Sequence, residues 1–105
     1  MDSLNRRKIM NLMSDTQAVV NGMKKDRISK RKIARVTNHQ LVFESMSRSL
    51  DEKTAKAGAL ALLQIEAVRA FALAYNERLV DFSEIEKMGA KVTDIAEAIE
   101  KVVGA

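Results

Sequence analysis

The chain has no cysteine, no proline and no tryptophan, and its 105 residues include only four glycines, three phenylalanines, one tyrosine and one histidine. Each scarcity closes a class of function. Without cysteine there is no disulfide scaffold and no thiolate metal site, and the composition suits a reducing compartment. The glycines stand at 22, 58, 89 and 104, too dispersed for a glycine-rich phosphate loop. With so few rings, recognition of single strands by base stacking lacks its platform. His39 lies between Asn38 and Gln40, with no second metal ligand at helical spacing and no nucleophile or orienting carboxylate beside it. It reads as a structural or surface histidine. The small acidic groups Asp81, Glu84, Glu86 and Glu97, Glu100 are accounted for by helix capping and solvation. The expectation is a protein that is not an enzyme and uses no cofactor and no metal.

Also missing are strand-like alternation, internal repeats, linkers, and a charged start followed by an uninterrupted apolar run that would mark a signal peptide. A cytoplasmic location is expected. What is present is 47% hydrophobic and 30% charged residues, rich in alanine, leucine, lysine, glutamate and methionine, the good helix formers. The expected fold is all-α: a single helical domain, 1–105, of four to five helices packed around a buried central helix at about 51–80.

That helix is the most apolar stretch. Leu60, Leu63, Ala67, Phe71 and Ala74 line one side, Ile65, Val68, Ala72, Tyr75 and Leu79 a second, and Leu62, Leu73 and Val80 a third. A helix apolar nearly all round is expected to be buried on every side. Gln64, Glu66 and Arg69 in its middle argue against a membrane span. Unbroken, its roughly 31 residues would run about 46 Å, overshooting a compact domain whose radius of gyration is roughly 13 Å. Either Gly58 kinks or frays it, or the molecule is elongated and oligomeric, a dimer first.

Before it, residues 3–21 form a helix candidate capped by Ser3, with Ser14 and Gln17 a second capping box that would split it, and Asn21-Gly22 as its stop. Ser29 caps a helix expected to run to about Ser47. Ser49 with Glu52, and Ser83 with Glu86, are capping boxes for the central and last helices. The last helix carries a heptad seam, Ile85, Met88, Val92, Ile95, Ile99 and Val102, at spacings of 3, 4, 3, 4 and 3. Two readings of it stand: an oligomer interface, or packing on the buried helix of its own chain. Gly89 marks a close approach or a break, with Thr93 recapping.

Charge is uneven. Residues 1–48 hold 11 Lys/Arg against 4 Asp/Glu, net +7; residues 49–105 hold 7 against 10, net −3; together they give +4. The cations concentrate as Lys24, Lys25, Arg27, Lys30, Arg31, Lys32 and Arg35 against a single acid, Asp26. Cations in a first helical turn oppose the helix dipole, a local conflict of the kind found at functional sites. These seven residues, with Arg6, Arg7 and Lys8 in support, are the expected polyanion-binding site, DNA being the first candidate. Ser29–Arg35 resembles the first helix of a helix-turn-helix unit, but no glycine stands near Asn38, and His39, Glu44 and Ser47 fall where a second helix should be apolar. The competing expectation is a helical adaptor, chaperone or inhibitor that docks an acidic protein partner. A membrane-surface segment at 3–35 has the cations but no aromatic anchor.

Overall fold

A computed structural model describes residues 1–22 and 27–104. Among them every element is helical: α1 (Ser3–Asn21), α2 (Lys30–Thr37), α3 (Gln40–Ser47), α4 (Glu52–Glu77) and α5 (Phe82–Gly104). The all-α expectation holds. α4 touches each of the other four helices, α5 and α3 most extensively.

The 26 residues of α4 make a rod of about 39 Å at 1.5 Å per residue. The molecule is 41 Å along its longest axis, so this helix sets its length. The helix runs unbroken through Gly58. A Cβ at that position would stand 2.5 Å from the Ser47 backbone nitrogen and 2.8 Å from the Met46 carbonyl carbon. Only glycine lets the end of α3 cross α4 so closely.

The same closeness corrects the expectation of all-round burial. The inner side of α4 is built largely from small residues, Ala57, Gly58, Ala61 and Ala72, with Ile65, Val68 and Phe71 between them, all buried. Small side chains admit α3 and α5 at short range; Leu60 and Leu62 are half-buried against the core, and two leucines are left outside. Leu63 and Leu73 are 52% and 56% exposed, and Leu79 and Val80 lie in the exposed turn after the helix. By length and composition α4 would pass as a membrane span, but half of that apolar window is buried against its neighbours. Gln64 is fully buried; its Nε2 donates to the Val92 carbonyl at 2.9 Å and pins α4 to α5.

The heptad seam of α5 turns inward. Ile85, Val92 and Ile99 are buried, and Met88, Ile95 and Val102 pack half-buried against the same core. α5 lies on α4 and touches α1, so the seam is occupied within its own chain rather than free for a second one. It is also unbroken at Gly89, where Thr93 Oγ1 donates back to the Gly89 carbonyl.

Helix starts differ from expectation in a consistent way. Asp2 rather than Ser3 caps α1, accepting the Asn5 amide at 2.8 Å. Asp51 rather than Ser49 caps α4 through the Thr54 amide. Asp81 rather than Ser83 receives the Glu84 amide at the head of α5. Ser29 alone does as expected, accepting the Lys32 amide at 3.2 Å. α1 runs through Ser14 without a second start and stops at Asn21 before Gly22. The single helix expected from Ser29 to Ser47 is two, broken at Asn38-His39.

Candidate polyanion-binding face

The cationic segment is held in place by a polar clamp. Asn76, in the last turn of α4, presents both ends of its amide to the backbone of Ile28. The Ile28 N–H donates to Asn76 Oδ1 at 2.7 Å, and Asn76 Nδ2 donates to the Ile28 carbonyl at 2.8 Å. A side-chain amide can satisfy a backbone donor and acceptor at once. It does so here while Ile28 itself is buried in the core. Ser29 then caps α2, whose start is thereby positioned from both sides.

α2 is strongly two-faced. Val36 is buried and Ile33 half-buried, while Lys30, Arg31 and Arg35 project into solvent and Lys32 is half-buried. None of these four cations has an ion pair among the described residues; the pairs there are Arg27–Glu77, His39–Asp15 and Lys87–Glu84. Arg27 has an acid beside it that is distant in sequence. Its guanidinium lies 3.5 Å from Glu77, with both side chains more than half exposed. Such a pair holds charges loosely, at about 0–1 kcal/mol. Lys24 and Lys25 lie outside the described residues. Of the supporting cations on α1, Arg6 and Arg7 are exposed and Lys8 is half-buried.

A second tie orients the α2–α3 corner. His39 Nε2 and Asp15 Oδ2 are 2.7 Å apart, both largely shielded from solvent, and the Phe43 ring lies 5.9 Å from the imidazole. The orienting carboxylate absent from the local sequence is thus supplied by α1, 24 residues away. The pair joins α1 to the corner. Neither this tie nor the Asn76 clamp, 48 residues apart in sequence, has a local signature, which is why sequence reasoning missed both.

Beside α2 lies a cavity of about 380 Å³ between it and α4, lined by Arg27, Lys30 and Arg69 as well as Glu66 and Glu77. A larger depression of about 690 Å³ sits at the other end of α4, lined by Glu52, Lys53, Lys56, Lys101 and Val102. No cluster of three or more His, Asp or Glu side chains that could hold a metal ion occurs among the described residues. Among the described residues the arrangement offers fixed positive charge on a short helix. No family model, no curated protein and no solved structure matches this chain.

Proposed function

We propose that this protein binds a polyanion, DNA first, through the outer face of α2 and the segment leading into it, in an accessory or regulatory role without catalysis. The observation that carries the reading is that Lys30, Arg31 and Arg35 are exposed on one short helix with no acid paired to them among the described residues. Fixed cations on a clamped helix suit backbone phosphates; base readout is not required for affinity. In this reading α4 is the central scaffold, and a homodimer would carry the basic face twice.

The test is fluorescence anisotropy with a short duplex at several salt concentrations. Four phosphate contacts per protomer would give a log–log salt slope of about −3.6, from roughly −0.9 per contact. The triple variant K30E/R31E/R35E should lose binding. Its melting temperature should stay near that of wild type, because acids at 30 and 31 in the first turn agree with the helix dipole while an acid at 35 in the last turn opposes it. A wild-type protein that does not bind the duplex at about 50 mM salt, where phosphate contacts are strong, ends the proposal.

A second reading is favoured by a specific observation. Leu41 and Leu50 before α4, and Leu79 and Phe82 after it, are each more than 60% exposed. That suits a helical adaptor docking an acidic protein. A partner retained after nuclease treatment, with no duplex binding, would establish it.

A further inference from the structure

The outer face of α4 carries Ala59, Leu63, Glu66, Ala70, Leu73 and Glu77, all exposed. Their spacings are 4, 3, 4, 3 and 4, the pattern of a coiled-coil seam, along about 27 Å of one unbroken helix. α3 and α5 pack on other sides of α4. α2 and the residues before it flank the C-terminal half of this seam across a cavity that Arg27, Lys30 and Ile33 share with Glu66, Ala70, Leu73 and Glu77, and the leucines themselves stay half exposed.

We infer that this face of α4 is a docking surface for a second copy of the same chain, paired antiparallel about a two-fold axis near residue 68. The dimer belongs to the proposal above, but the surface is read without reference to polyanion binding. The order of residues supplies the argument. About residue 68 the seam maps onto itself: Leu63 meets Leu73 of the second copy, Glu66 meets Ala70, and Ala59 meets Glu77. Each large or charged residue except the leucines therefore faces an alanine. A self-complementary patch is what a two-fold interface requires.

Charge selects the direction. Neither Glu66 nor Arg69 has an ion pair in its own chain among the described residues. Across the two-fold axis, each Arg69 flanks the seam beside both Glu66 and Arg69 of the other copy, so two acids and two bases meet in one balanced group. Glu77 faces an alanine and keeps its own Arg27 at 3.5 Å. A parallel pair in register would instead set Glu66 against Glu66, and like charges at a seam repel. The contact is one helix wide, smaller than the roughly 800 Å² per partner of a standard interface. The dimer is therefore weak and concentration-dependent.

Sedimentation equilibrium from about 5 to about 500 µM, the range in which a small interface associates, should show the 11.7 kDa chain passing to twice that mass. The natural chain lacks cysteine, so introduced thiols report directly. The double variant L63C/L73C with oxidised glutathione should form a covalent dimer at the concentrations where wild type associates. Within one chain those positions are ten residues apart on a helix, about 15 Å, and cannot bridge. The single variants L63C and L73C, each facing a leucine, should crosslink far less. Both leucines are half exposed, so circular dichroism and the melting temperature should match wild type and show that all variants fold. A wild type that stays monomeric throughout overturns the inference, including where the seam captures a different protein. Efficient crosslinking by L63C alone overturns the antiparallel arrangement. No nucleic acid enters the experiment, so its failure leaves the duplex-binding test standing.

Discussion

α4 and α5 are the two longest helices, they lie against each other, and they reach that contact by opposite means. α5 has one apolar stripe at heptad spacing and turns it inward, so the residues that look buried are buried: Ile85, Val92 and Ile99. α4 is apolar on every side and buries its small residues, leaving Leu63 and Leu73 in solvent. Periodicity orients a helix only when one face differs from the others. Where most faces are apolar, fit to the neighbouring backbone decides: alanine and glycine are buried where a helix crosses closely, and Ile65, Val68 and Phe71 fill the space between. Hydrophobicity is a reading of composition, whereas burial on α4 is a matter of fit.

The largest effect should come from truncating each side of α4 in turn. Phe71→Ala empties a fully buried position between α4 and α5 and should cost about 3–5 kcal/mol by urea denaturation. Leu63→Ala, eight residues earlier, should cost no more than about 0.5 kcal/mol, as surface changes do. At concentrations where the chain is monomeric, equal losses would mean that the outer face is covered within the chain and the comparison fails.

The two glycines inside these helices should then move stability in opposite directions. Gly58→Ala drives a methyl group into the Met46–Ser47 backbone, which has no rotamer to yield, so the loss should be about 1–3 kcal/mol. Gly89→Ala meets only Phe71 Cε1 at 3.6 Å, an ordinary contact. It should gain up to about 1 kcal/mol from helix propensity. Thermal melts of the two variants side by side check the sign; a destabilised Gly89→Ala would show that α5 packs on α4 more tightly than its stripe implies.

Fold class and the helical stretches were legible because each rests on local spacing; the break at Asn38-His39 was not, and the spacing of the α5 seam left open whether it packs within its own chain or on another. Helix starts were legible in position to within a residue or two but not in agent. Serines at 3, 49 and 83 carry the familiar capping pattern, yet Asp2, Asp51 and Asp81 do the capping. Asp ranks with Ser as a cap and brings charge to the helix dipole, so a nearby aspartate displaces the serine. The cationic face was legible as a run of charges. What positions it was not: Asn76 and Ile28, or Asp15 and His39, meet only because the helices fold back on one another. Gln64 pointed away from burial by its chemistry, and only the Val92 carbonyl explains its place.

In one respect α4 and α5 are alike, and it gives the smallest prediction. Each begins at an aspartate whose carboxylate is held below the ordinary value near 3.8. For Asp51 the Thr54 hydroxyl is the leading cause and the Thr54 amide the next; for Asp81 the Glu84 amide leads and the Ser83 hydroxyl follows. All of these donors favour the ionised form. A carboxylate with a depressed folded-state pKa contributes stability that is fully present above the unfolded value near 3.8 and is lost as pH falls through the lowered one. Both groups are solvent-exposed, so the effect is modest. It should appear as a melting temperature that declines below about pH 4 more steeply in wild type than in the double variant D51S/D81S, which keeps a capping oxygen without a titrating one. Above about pH 5, where both carboxylates are ionised, wild type should melt slightly higher than the variant. Parallel curves across that range would show that serine serves these helix starts as well as aspartate does.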